Sequence, residues 1–166
     1  MSARKKMIRR IPNFEKLQVR QLHAADTFLV NFQSDEATPP SRYLVDTGQR
    51  FGNRGNGLSF GWSSDHTDQA RERSLAADQR FDTLIHFELG QSWEFALPNG
   101  LYQVTVGVGD PANNDGLHTV NVEGQPLFDQ VQDTDQPQVR SSQVVVSDGR
   151  LTLDQGNAVH KATRID

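Results

Sequence analysis

Between Thr83 and Leu153 the chain repeats one pattern, a short run of alternating apolar and polar residues closed by a turn signal. No other feature restricts the fold as much. Side chains on a strand point alternately to opposite faces, so a period of two marks a surface with one buried side. In Ser92–Leu97 the residues Trp93, Phe95 and Leu97 share a face, and in Leu101–Gly109 so do Tyr102, Val104, Val106 and Val108. Asn99-Gly100 between them is a hairpin signal, because both residues tolerate the positive φ of a tight turn. Thr83–Glu88, Leu117–Val122 (His118, Val120 and Val122 together) and a short strand at Leu127-Phe128 continue the series. Val139–Val146 and Arg150–Leu153, joined at Asp148-Gly149, close it. Short strands at regular spacing with turns between them predict an all-β fold, an antiparallel β-sandwich of jelly-roll type.

Upstream, Thr27–Gln33, Tyr43–Asp46 and Leu58–Trp62 read as further strands. Ser63 to Arg80 is the one place for a helix or helical turn, and its polarity suits a surface loop equally well. Thr163-Arg164-Ile165-Asp166 enters a strand and stops, which reads as a clipped or very short edge. The stretch Tyr43–Trp62 holds five glycines among Tyr43, Phe51, Phe60 and Trp62. Glycine density of this kind predicts a turn-rich, tightly folded loop, and loops on rigid scaffolds are where binding sites concentrate. The aromatic residues fit a ligand surface or the core; Phe60 and Trp62, in the strand-like run LSFGW, fit the core.

At 166 residues the chain is long enough for one domain with a substantial core. Its formal charge of -4 is unevenly spread: residues 1–20 hold seven Lys and Arg against Glu15 alone, net +6, which leaves -10 for the rest. We therefore expect a basic, disordered segment over 1–20 and the sandwich over 21–166. The basic segment lacks the interleaved aromatic residues of a base-stacking surface and precedes an acidic domain, so no nucleic-acid partner is expected. No stretch approaches the ~18–20 apolar residues that span a bilayer, and no apolar run follows the N-terminal charges as in a secretory signal. The absence of cysteine excludes disulfides, thiolate metal sites and a cysteine nucleophile.

The run from Phe81 to Gly124 resembles malectin-like and galactose-binding-like carbohydrate-binding modules. The likeness is carried by Pro98-Asn99-Gly100, the G-x-Y-x-V strand of Leu101–Val106, the polar loop Gly109–Asp115 and the strand His118–Gly124. Val30-Asn31-Phe32 followed by Tyr43–Trp62 is similar to the glycine- and aromatic-rich opening of the same group. The resemblance spans roughly residues 27–153. It implies a galactose-binding-like sandwich, a glycan or polysaccharide partner held by loops at one end or edge, a place in a larger multidomain chain, and an extracellular or cell-surface location.

Sugar recognition needs flat aromatic faces against C–H patches and a few polar groups that fork onto hydroxyls. Asp46, Phe51, Asn53, Arg54 and Trp62 supply such a set from the first loop, and Asp110, Asn114, Asp115 and His118 from the second. Arg54, beside Gly55, is expected to be a ligand contact whose loss leaves stability unchanged. The 110–116 loop is also rich in oxygen donors and could hold Ca²⁺, although it lacks EF-hand spacing. Asp129, Asp133 and Asp135 read as a solvated acidic loop, and His86 as facing solvent or a partner strand. The five histidines show no ligand spacing, and no nucleophile elbow, P-loop or dinucleotide fingerprint occurs. The reading is a non-catalytic carbohydrate-binding module. Its rivals are a structural or protein-interaction sandwich without a small ligand, and a polysaccharide hydrolase or lyase built on paired carboxylates.

Overall fold

The computed structural model describes residues 26–134, 136–158 and 163–166. The basic segment 1–20, His23, Asp135 and His160 lie outside these. Thirteen strands are defined among the described residues: β1 Val30–Phe32, β2 Leu44–Asp46, β3 Gly52–Asn53, β4 Ser59–Trp62, β5 Ala70–Glu72, β6 Thr83–Phe87 and β7 Ser92–Ala96. They continue as β8 Gly100–Val108, β9 Leu117–Val122, β10 Gln125–Gln132, β11 Gln138–Val146, β12 Arg150–Asp154 and β13 Thr163–Ile165. Six form one sheet in the order β10-β9-β12-β7-β4-β3, and five form a second in the order β11-β8-β13-β6-β5. Every pairing within these two sheets is antiparallel, so the chain is an all-β sandwich. Among the described residues no helix is long and apolar enough to cross a membrane.

The alternating residues meet between the sheets. Phe60, Trp62, Trp93, Phe95, Val120, Val122, Phe128 and Leu153 face in from the larger sheet; Ile85, Phe87, Val106, Val108, Val144, Val146 and Ile165 face them from the smaller. Trp62 and Phe87 pack edge to face at 4.9 Å and Phe60 and Phe95 stack at 5.4 Å, geometries that suit the aromatic quadrupole. Full burial of one such ring contributes about 1.5–3 kcal/mol.

Residues 63–80 take the helical-turn alternative: the segment makes 3-10 turns at Thr67–Gln69 and, just beyond, at Gln79–Phe81, with β5 between them. Three local expectations are corrected. The pair β1–β2 is parallel rather than antiparallel, with Gln33 fastening the crossover by donating to the Ala37 carbonyl (2.7 Å). The short strand at Leu127-Phe128 is the middle of an eight-residue, bulged β10. The clipped end at 163–166 is not an edge at all. β13 lies between β6 and β8, with Ile165 fully buried and paired to both Ile85 and Val108.

Candidate functional site

The first glycine-rich loop is organised inward. Asp46, at the end of β2, is 1% exposed and accepts three hydrogen bonds: from Trp62 Nε1 (2.9 Å), Trp93 Nε1 (2.8 Å) and the Gly48 amide (2.8 Å). Burial raises its pKa above the usual carboxylate value, outweighing the opposing effect of these donors. Trp62 is wholly buried and stacked on His66 at 4.5 Å. Asp46 and Trp62 therefore hold the sandwich together and present no surface to a ligand, which corrects their placement in a binding set. Arg54 is a brace. Its guanidinium donates to Gln49 Oε1 (2.6 Å), Gln49 O (3.2 Å) and Arg50 O (3.1 Å), and it lies 4.9 Å from the Phe60 ring. Gly61 makes room for it: at φ 134°, a Cβ there would meet that guanidinium and sit 2.6 Å from the Gln49 carbonyl. Asn53 is exposed and caps the turn by accepting from the Gly55 amide (2.7 Å). Phe51 is half-buried under the Arg150 guanidinium (4.2 Å), which also pairs with Glu94.

The two candidate loops do not meet. Phe51 lies against Arg150, by the turn whose Gly149 carbonyl accepts from Leu97. That turn follows Val146, which pairs with Gly100 at the start of β8, whereas the 110–116 loop leaves the far end of the same strand, where Val108 pairs with Gln138. Nine extended residues span roughly 26 Å between the strand's ends at about 3.3 Å per residue. A single surface built from both sets is thus ruled out by the register of the sheet.

Of the second set, Asp110, Asp115 and His118 do converge, on Arg164, a residue not among the expected ligands. Arg164, in β13, directs Nε at Asp110 Oδ2 (3.3 Å), Nη1 at Asp133 Oδ2 (3.2 Å) and Nη2 at Asp115 Oδ1 (3.0 Å). Its backbone amide approaches His118 Nδ1 at 3.4 Å. Arg73, just past β5, makes a two-pronged contact with Asp110 (2.9 and 2.6 Å), and the Ala112 amide and Asn113 Nδ2 also donate to that carboxylate. Burial opposes the charge on Asp110, but these donors and the Arg73 cation outweigh it and hold the carboxyl below its ordinary value. Both oxygens of Asp110 are given to arginines and amides. Among the described residues no three acidic or histidine side chains converge as metal ligands, and the Asp110 carboxylate is held by guanidinium groups.

Asp133 corrects the solvated-loop reading: it is 4% exposed and sits 3.3 Å from His118 Nε2 without hydrogen-bond alignment. His118 is fully buried, and burial lowers its pKa despite that neighbouring carboxylate, so the ring is neutral at pH 7. His86, opposite Arg164 in the register, is half-buried, and burial together with Arg71 and Arg164 likewise lowers its pKa. Asn114 is exposed, and Asp129 is exposed on β10.

Beside this network lies a cleft of about 540 Å³, lined by Leu75, Ala76, Ala77, Asp78, Phe81, Gly109, Asp110, Pro111, Thr134, Gln136 and Pro137. The 73–82 segment is fixed there by Asp82, which accepts from the amides of Ser74, Leu75 and Ala76 (2.8, 2.7 and 2.6 Å). Gly109 is at the floor because its neighbours come so close: a Cβ would lie 3.3 Å from Pro137 Cα and 3.6 Å from Asp166 Oδ2. The Asp166 carboxyl is buried with neither oxygen hydrogen-bonded. Burial, reinforced by the charges of Asp133 and Asp110, lifts its pKa well above the ordinary range. Of the expected ligand residues only Asp110 lines the cleft. The remainder of its lining had no signature in sequence, because it comes from three segments that are ordinary loops when read singly.

No protein-family model matches the chain, and no curated protein does. Among solved structures, the Bacillus subtilis protein YxiM is similar at 22% identity and a TM-score of 0.55, over 84% of this chain and 39% of its own length. A β-glucuronidase of Bacteroides uniformis aligns at 14% identity and a TM-score of 0.45, over 81% of this chain and 16% of that one. The likeness to YxiM is one of fold, the sandwich described above recurring as a minor part of a longer chain.

Proposed function

We propose that this chain is a non-catalytic carbohydrate-binding module, a part of a longer protein, and that its glycan lies in the cleft beside Asp110 rather than on the glycine-rich loop. The cleft carries the reading. Phe81, Pro111 and Pro137 supply apolar surface suited to the C–H faces of a sugar ring, and Asp78, Thr134 and Gln136 supply hydroxyl partners beside them. The Arg73–Asp110 contact fixes the floor, so little ordering would accompany binding.

A glycan array followed by affinity electrophoresis tests this. Gln136→Ala, an exposed position, should abolish retention at an unchanged melting temperature. Retention that survives this change and disappears in Asn53→Ala would move the site to the glycine-rich loop and overturn the assignment.

A second reading, a protein-interaction sandwich, has one observation in its favour. On the outer face of β8 and β11 the cross-strand partners Leu101 and Val145 are 67% and 60% exposed, with Val139 on the same face at 52%. Analytical ultracentrifugation of wild type and Leu101→Gln tests it: self-association lost in the variant would support an interface there.

A further inference from the structure

We infer that the cleft selects neutral glycans and rejects those bearing carboxylate or sulfate groups. This inference rests on the carbohydrate reading above and adds the class of ligand. Among the described residues three arginines border the cleft, and each pairs with a carboxylate. Arg73 is clamped to Asp110, Arg80 to Asp78 (2.5 Å), and Arg164 is shared among Asp110, Asp115 and Asp133. Arg71, on β5, turns back onto the carbonyls of Asp68 (2.7 Å) and Ala70 (2.8 Å). None of the cleft-lining residues is basic.

Among the described residues the balance beside the floor is negative. Asp110, Asp115 and Asp133 face two guanidinium groups, and His118 adds no charge because burial keeps it neutral. Asp166 reports the same field, since the charges of Asp133 and Asp110 add to burial in raising its pKa. What the lining offers a ligand is therefore the Asp78 carboxylate, 44% exposed beside its Arg80 partner, and the uncharged hydroxyl and amide of Thr134 and Gln136. Sugar hydroxyls donate to such acceptors. A uronate or sulfate would bring its charge against them where each bordering guanidinium among the described residues already pairs with a carboxylate, and like charges juxtaposed in a partly desolvated site are strongly unfavourable.

The test uses pairs of glycans that differ only in charge: methyl-esterified against de-esterified uronate oligosaccharides, and neutral oligosaccharides against their sulfated forms. They are measured by array and by isothermal titration at about 0.05 M and about 0.5 M salt, a range over which surface charge effects are progressively screened. The expected result is retention of neutral members, with charged partners at least about tenfold weaker at low salt and the gap narrowing at high salt. Asp115→Asn, at a side chain 82% exposed, removes one of the negative charges facing Arg164 and should raise the affinity for the charged members alone. Equal or preferential binding of charged glycans overturns the selectivity while leaving the carbohydrate reading intact. Retention of no glycan by the folded protein overturns both.

Discussion

Replacing Asp46 by alanine tests what holds the two sheets in register. Its carboxylate accepts from Trp62 Nε1, Trp93 Nε1 and the Gly48 amide, all at 2.8–2.9 Å and all away from solvent. Truncation orphans three buried donors. Each costs about 1–3 kcal/mol when left unpaired, and water entering the vacated space recovers part of that, so we expect a net loss of about 3–5 kcal/mol, within the upper range of single substitutions. For a domain of this size that is roughly 6–20 °C in melting temperature. Asp46→Asn keeps one acceptor, sheds the desolvation of charge and turns its NH₂ on an indole N–H, so its loss should be smaller but clear. Both tryptophans of the chain are ligands of Asp46, so urea unfolding followed by tryptophan fluorescence reports on the clasp directly, and circular dichroism checks that unfolding is two-state. A change below about 0.5 kcal/mol in Asp46→Ala, the level of an ordinary surface substitution, would refute the argument.

Arg54→Ala should lower stability by about 1–2 kcal/mol, because three charge-assisted hydrogen bonds and a cation–π contact to Phe60 go with it; denaturant titration distinguishes this from the stability-neutral outcome that the sequence alone leads one to expect. Gly61→Ala should cost more than about 2 kcal/mol, since the Cβ strikes the Gln49 carbonyl at a φ of 134° that L side chains avoid, and a melting scan measures it. Asp166 has a folded-state pKa above its unfolded value, so the unfolded chain binds fewer protons between the two and stability falls as pH rises through that window. Asp166→Asn should flatten that fall, giving a larger gain at pH 8 than at pH 4. The depressed values of Asp110 and His118 act in the opposite direction. Their contributions fade as pH falls, for His118 below about 6.5 and for Asp110 below about 4, so acid unfolding should begin at this network.

Hydrogen exchange near Arg164 across that pH range would show whether it does.

The fold class was legible in the sequence because alternation and turn chemistry are local. Trp93 and Phe95, or Val106 and Val108, face one way whatever lies across from them, and Asn99-Gly100 turns wherever it stands. The site was not legible, because its members meet only through pairing of strands far apart in the chain. Arg164 stands in a run that reads by itself only as a short edge strand; its position between β6 and β8 brings it to Asp110, Asp115, Asp133 and His118. Asp46 and Arg54 have the residue types of a sugar contact, and their own sequence neighbourhoods contain nothing to indicate that Trp93 and the carbonyls of Gln49 and Arg50 would claim them. Local pattern determined which faces are buried. Which polar groups are consumed inside the protein and which are left for a ligand was decided by the tertiary structure, since a hydrogen bond depends on distance in space and is indifferent to separation along the chain.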